Sequence, residues 1–183
     1  MNRQKLKLFY FLFGFGINFS TLLAAELSGV DRFVIDPSGE CIIDKKTNLV
    51  WTRDASILGA LTWGQKNNDF TAQYWVSQMN TNPQSIGYHL CGYSDWRLPT
   101  RWEMLDILTA IKGENSCSIP ANIFNQSKVG FTHVRTERYW AACSTDSSHA
   151  WYVSMSNGSS DSGELDTLGY VWPVRGNNAG LHK

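Results

Sequence analysis

Gly92-Tyr93-Ser94-Asp95-Trp96-Arg97-Leu98-Pro99-Thr100-Arg101-Trp102-Glu103-Met104 is the stretch from which the architecture of this chain can be worked outward. Thr100 and Glu103 have the spacing of a capping box, in which the hydroxyl accepts from one backbone N–H and the carboxylate reaches back to another. Pro99 sits just outside the helix start. Met104, Ile107, Leu108 and Ile111 then form one apolar stripe at i, i+3, i+4, i+7, and Gly113 closes it. A helix is therefore expected between Thr100 and Gly113. Asp95, Trp96 and Arg97 read as structure: a carboxylate beside a guanidinium in an aromatic setting makes a bidentate pair that fixes a loop and delivers the chain to the helix. Arg175, near the carboxyl end, receives the same reading.

Upstream, Arg32–Asp36, Cys41–Ile43 and Leu49–Thr52 are β-rich and are separated by turns at Asp36-Pro37-Ser38-Gly39 and Asp44–Asn48. This is the pattern of a short antiparallel meander. Thr62 and Gln65 have the spacing of a second capping box, with Ala72, Trp75, Val76 and Met79 as the stripe of a helix running to about Met79. Downstream, Ser116–Arg138 is loop-like. Tyr139–Ala142, His149–Met155 and Tyr170–Arg175 read as strands, the last two joined by a polar loop from Ser156 to Gly169. Strands at both ends around central helices predict a single α+β domain with antiparallel sheets and two helices, its termini meeting in one sheet. Trp51, Trp140, Trp151 and Trp172 lie in these strands and are expected in the core, an exposed member being a platform for a sugar ring.

The chain has 183 residues, 16 Lys+Arg against 16 Asp+Glu, and 13% aromatic residues. This balance folds, and it lacks the clustered basic charge that nucleic acid demands. Arg3, Lys5 and Lys7 precede an uncharged, Phe- and Leu-rich run from Leu8 to Ala25 that ends in Leu23-Ala24-Ala25. That is the layout of an export signal over residues 1–25, so the membrane is met only in transit and the protein is expected in the periplasm, on the cell surface or outside. Residues 26–183 form the domain, and loss of three basic groups leaves it with a net charge of −3. Cys41, Cys91, Cys117 and Cys143 are an even set bound for an oxidising compartment, where two disulfides are expected. The preferred pairing is Cys91 with Cys117 and Cys41 with Cys143. Zinc is not expected, because no C-x-x-C spacing occurs.

The motif at Gly92–Thr100, followed by Glu103-Met104-Leu105, resembles the hallmark of the Legionella collagen-like protein C-terminal domain family. So do Asp44, Thr47, Leu49 and Trp51, then Leu61-Thr62-Trp63, Tyr139-Trp140, Ala150-Trp151 and Tyr170-Val171-Trp172-Pro173-Val174-Arg175-Gly176. The matches run in order from about residue 44 to 176. Asn48 stands where the family has Gly, a residue that also accepts a left-handed backbone. Ala141-Ala142-Cys143 replaces Ser-Ser-Thr. The resemblance implies a C-type-lectin-like fold, related to the formylglycine-generating-enzyme architecture, in exported bacterial proteins. It also implies adhesion through sulfated glycosaminoglycans, and it sets no oligomeric state.

Candidate ligand contacts are the basic residues His133, Arg135 and Arg138, with Lys45 and Lys46 as a second pair. Asp161, Glu164 and Asp166 lie in the longest polar loop, where carboxylates with Ser and backbone oxygens would supply a calcium ion; a solvated acidic loop is the plainer reading, and no cofactor is expected. No nucleophile elbow, zincin, P-loop or dinucleotide motif occurs, and the closeness of Ser144, Asp146 and His149 reads as coincidence. The expectation is therefore a binding module that recognises a glycan on an envelope or host surface. A structural or protein-partner domain of the envelope is the alternative. An oxidoreductase of the formylglycine-generating type, which requires a reactive thiol, is the third reading.

Overall fold

The computed structural model describes residues 29–64, 70–112 and 129–177. The expected export signal, Gln65, Gly113 and Cys117 lie outside them. Among the described residues no helix is long and apolar enough to cross a membrane.

Two sheets and two principal helices make an α+β domain. After a four-residue helical turn, α1 (Gly29–Arg32), the first sheet has the order β1 (Phe33–Ile35), β2 (Cys41–Asp44), β3 (Leu49–Thr52) and β9 (Val174–Arg175), all antiparallel. The meander is as expected, and the two chain ends do meet in this sheet. Its second turn works because Asn48 takes φ 58°, the left-handed backbone that Gly usually provides, while its N–H bonds the Asp44 carbonyl. The second sheet runs β4 (Ala60–Leu61), β8 (Gly169–Tyr170), β5 (Arg138–Ser144), β6 (His149–Ser154) and β7 (Ser160–Glu164). It is antiparallel except where Tyr139 pairs in parallel with Tyr170.

Strand alternation sorts the apolar side chains into two cores. Trp51, Tyr139, Val153 and Trp172 pack with Met104, Ile107 and Leu108 of α3 (Arg101–Lys112). Their chain neighbours Val50, Trp140 and Val171 pack with Val76 and Met79 of α2 (Ala72–Thr81). Trp51, Trp140 and Trp172 are core residues as expected, whereas Trp151 is only half-buried. The C-terminal segment crosses between the sheets: β8 joins one, Pro173 interrupts, and β9 joins the other, with the Thr52 N–H bonding the Pro173 carbonyl.

Four expectations change. The first long helix begins at Ala72, where the Thr71 hydroxyl accepts from the Tyr74 N–H at 3.2 Å. Thr62 instead receives the Ala72 N–H on its carbonyl and donates its hydroxyl to the Phe70 carbonyl, so it is a tether rather than a cap. The polar segment Ser156–Gly169 contains the strand β7, paired antiparallel with β6 from His149↔Glu164 to Val153↔Ser160. β7 has one neighbour and its side chains are half-buried or exposed, so the backbone ladder specifies it without any apolar pattern. The single reading of Tyr170–Arg175 as one strand resolves into β8 and β9.

The fourth correction is the sulfur pairing. Cys41 bonds Cys91, which rules out both expected pairs, Cys91 with Cys117 and Cys41 with Cys143, and ties β2 to the loop that follows α2. Cys143 is exposed and free. Sequence separation could not reveal this, because the bond joins residues that only the folding of the α2 loop back onto the first sheet brings together. Native thiol alkylation is expected to label Cys143 without reductant, and a non-reducing peptide map to contain a Cys41–Cys91 cross-link; a Cys41–Cys143 cross-link would contradict this pairing. Packing is equally specific at Gly169, where an added Cβ would lie 2.8 Å from Trp140 Nε1, the atom that donates to the Leu61 carbonyl at 2.9 Å. Gly169→Ala should cost about 1–3 kcal/mol in a denaturant titration, by overpacking.

Candidate functional site

The Asp95-Trp96-Arg97 run is held from three directions. Arg97 pairs its backbone antiparallel with Val174, N–H to carbonyl at 2.8 Å and the reverse at 3.0 Å. Its guanidinium forks onto Glu103 at 2.9 and 2.7 Å and donates also to the carbonyls of Leu98 and Gly176. Glu103, 3% exposed, completes the capping box: its Oε2 accepts from the Thr100 N–H at 2.8 Å while Thr100 Oγ1 accepts from the Glu103 N–H at 3.2 Å. Asp95 makes its own fork with Arg175, at 2.9 and 2.8 Å, and that guanidinium lies over the Tyr93 ring. The expected pair within the motif is thus replaced by two longer-range ones. Trp96 is clamped through its backbone by Asn80, which accepts its N–H and donates to its carbonyl, both at 2.8 Å. Nothing in the local pattern marks Asn80 for this role.

A cleft of about 500 Å³ opens between this run and α2, walled by Trp96, Arg97, Leu98 and Glu103 on one side and Val76 and Asn80 on the other. Arg97 gives it no anion receptor. All five of its N–H groups are directed at Glu103, Leu98 and Gly176.

The basic residues singled out from the sequence do not form one patch through their contacts. His133 directs Nδ1 to Asp54 at 2.9 Å, and Lys46 is paired with Asp106 at 2.9 Å. Asp106 also pairs with Arg32, which is buried and forks onto Asp44. Lys45 is exposed beside them in the β2–β3 turn. Arg135 lies over the Tyr170 ring and Arg138 over the Tyr152 ring, 5.9 and 4.8 Å from the centroids. Tyr170 packs with the first core and Tyr152 with the second, so these two arginines cover opposite faces of the five-stranded sheet.

The three acids do not form one cluster: Glu164 and Asp166 line a hollow with Ser148 and His149, and Asp161 lies apart from them. In β7, Asp161 faces Tyr152 and Glu164 faces His149 across the ladder, three residues apart and hence on opposite faces. Among the described residues, the only three His, Cys, Asp or Glu ligand atoms that lie within 4.8 Å of one another belong to Asp36, Cys41 and Cys91, whose sulfurs are already joined to each other. Near the β5–β6 turn Asp146 Oδ1 accepts from the N–H and hydroxyl of Ser148 and from the N–H and Nδ1 of His149. The Ser148 N–H and hydroxyl, followed by the His149 contacts, hold this exposed carboxyl down to about 2. Ser148, not Ser144, is the hydroxyl beside the imidazole, and it meets Nδ1, the same nitrogen that Asp146 occupies. A nucleophile–base relay needs the two partners on different nitrogens.

The motif's flank holds a feature that the sequence reading passed over. The Arg101 guanidinium is sandwiched between indoles, 4.4 Å from the Trp102 centroid and 3.9 Å from that of Trp151. Trp102 is 46% exposed. Among the described residues Arg101 donates no hydrogen bond, in contrast to Arg97. A signal did exist: Trp102 falls opposite the Met104, Ile107, Leu108 stripe, so helical phase alone turns it away from the core.

A family model for the Lcl C-terminal domain matches residues 40–175. The chain belongs to the Lcl C-terminal domain family. The match takes in the second sheet, the first sheet apart from β1, the motif run and both cysteines of the disulfide. Among curated proteins none matches the chain. Membership suggests a binding module, and within this Lcl C-terminal domain the motif residues Asp95, Trp96, Arg97, Pro99, Thr100, Glu103, Trp172 and Arg175 lie in the framework beside the candidate contact surface.

Arg97→Ala leaves Glu103 charged and buried without its partner, and should cost about 3–5 kcal/mol in chemical denaturation. Arg97→Met/Glu103→Leu should recover much of that loss. The fork from Arg175 holds the Asp95 carboxyl below its ordinary value, against a smaller effect of burial. Its stabilising contribution is present above the ordinary carboxylate pKa and is lost as pH falls through the depressed folded value. Arg175→Ala should move the Asp95 titration, followed by NMR, up toward the ordinary carboxylate range.

Proposed function

We propose that this chain is an exported bacterial binding module, of C-type-lectin-like fold, that recognises anionic glycans without chemically altering them. The supporting observation is the Trp102–Arg101–Trp151 stack. An open indole face accepts the C–H face of a pyranose ring, while a guanidinium with free N–H groups accepts a sulfate or carboxylate in a bidentate fashion. Arg135, over Tyr170 on the sheet face that also carries Trp151, offers the same chemistry beside this stack, and Arg138, over Tyr152, offers it on the opposite face. The flanking aromatic rings restrict the rotamers of these guanidiniums, which lowers the entropy cost of capturing an anion.

Family membership and the basic, apolar amino end together support export. The net charge of −3 on residues 26–183 makes binding modest and sensitive to salt, because no long-range attraction draws an anion in and the few local contacts are screened. The free Cys143 satisfies the minimum requirement of a thiol enzyme.

Retention on immobilised heparin at low ionic strength is the expected outcome, with elution at moderate salt. Arg101→Ala and Trp102→Ala should each weaken binding roughly tenfold, about 1.4 kcal/mol, with unfolding midpoints shifted little because Trp102 is exposed. Arg135→Ala/Arg138→Ala should weaken it further. No retention of the native protein at low salt would refute the glycan reading; retention that all four substitutions leave unchanged would refute its location.

A further inference from the structure

The Cys41–Cys91 bond has an anion built beside it. One carboxylate oxygen of Asp36 and the two sulfurs lie within 4.8 Å of one another. Asp36 is fixed there: its Oδ1 accepts from the Cys41 N–H at 3.0 Å, and both oxygens accept from the Ser38 hydroxyl at 2.8 Å, with the Ser38 N–H adding a further bond. That same hydroxyl lies 3.3 Å from Cys91 Sγ. Arg53, whose N–H bonds the Glu40 carbonyl, directs its guanidinium to the carbonyls of Gly39 and Gly130 and forms no ion pair with Asp36. Hydrogen bonds from the Cys41 and Ser38 groups hold the Asp36 carboxyl below its ordinary value although burial opposes this, so it is ionised near neutral pH.

The two sulfurs are not equivalent. Cys41 is wholly buried in β2, whereas Cys91 is half-buried in a surface loop. A thiolate from solvent therefore attacks Cys91 Sγ. A new S–S bond forms there, the Cys41–Cys91 bond breaks, and its electron pair leaves on Cys41 Sγ, which then takes a proton from water. A second equivalent of the thiol resolves the mixed disulfide, releasing Cys91 as thiol and the reagent as its own disulfide.

We propose that Asp36 is an electrostatic guard of this disulfide, slowing exchange with anionic thiols by repelling the incoming thiolate and by opposing negative charge on the departing Cys41 sulfur. The guarded bond holds a strained element. His89 and Cys91 take φ 48° and 54°, left-handed values that cost energy in any residue but Gly, and the loop containing them leads directly into the Asp95-Trp96-Arg97 run. Protection of the staple is thus protection of the framework beside the cleft.

The test measures second-order rates of disulfide reduction in the full native chain with three thiols of different charge: cysteamine, 2-mercaptoethanol and 3-mercaptopropionate. After correction for each reagent's thiolate fraction and intrinsic nucleophilicity against a small-molecule disulfide, the native protein should react in the order cationic, neutral, anionic. Asp36→Asn, which keeps an oxygen acceptor for the turn, should raise the rate with 3-mercaptopropionate about tenfold and the rate with cysteamine much less, flattening the order. Salt near 1 M, where the Debye length is about 3 Å, should flatten it in the native protein as well. Equal acceleration of all three thiols by Asp36→Asn would mean that the turn had merely loosened, and would overturn the proposal. If that variant does not fold, the native protein decides alone: equal corrected rates at low salt would overturn the guard.

Discussion

The fork between Arg97 and Glu103 is the constraint around which the other parts are arranged. Glu103 is almost wholly buried, and a buried carboxylate is tolerable only when charge and hydrogen bonds surround it. Arg97 supplies the charge, and the Thr100 N–H supplies a further donor. The same guanidinium reaches the Gly176 carbonyl, and its backbone pairs with Val174. One ion pair therefore sets the start of α3, the entry of the motif loop and the position of the last strand. Because that strand pairs with β3, the closure of the chain ends into one sheet runs through it.

The arginines of this domain divide by what surrounds them. Arg32 and Arg97 are bound to carboxylates or carbonyls and belong to the framework. Arg101, Arg135 and Arg138 lie over aromatic faces with few or no hydrogen bonds to the protein, whereas Arg32 and Arg175 combine a ring contact with a carboxylate fork. Stacking on a ring leaves a guanidinium's in-plane donors open, whereas a carboxylate fork consumes them. Residue type therefore says little about a role in recognition here. The partner decides it, and the partner comes from the fold.

Much of the architecture was legible because it rests on short-range chemistry. The Thr100–Glu103 box, the stripe of α3, the Asn48 turn and the β1–β2–β3 meander each depend on residues a few positions apart, so spacing alone exposes them. The start of α2 was misplaced because Thr62 and Thr71 both precede the apolar stripe. Only the Thr62 carbonyl meeting the Ala72 N–H shows which of them is the cap and which the tether. β7 was invisible because a polar edge strand carries no alternation. Its identity comes from the ladder offered by β6.

The contact surface was less legible than the fold. Basic residue types pointed to His133, Arg135, Arg138, Lys45 and Lys46. Two of these proved to be engaged with acids, while Arg101 and Trp102 lay within a segment read for its cap and its apolar stripe. What the sequence by itself determined is the local framework and the family, since caps, turns and motif order act over a few bonds and survive any wider arrangement. The sulfur pairing, the partners of Asp95 and Arg97, and which cations stay open were decided only by tertiary structure. Each of these depends on a distance between elements far apart in the chain, and no local spacing encodes such a distance.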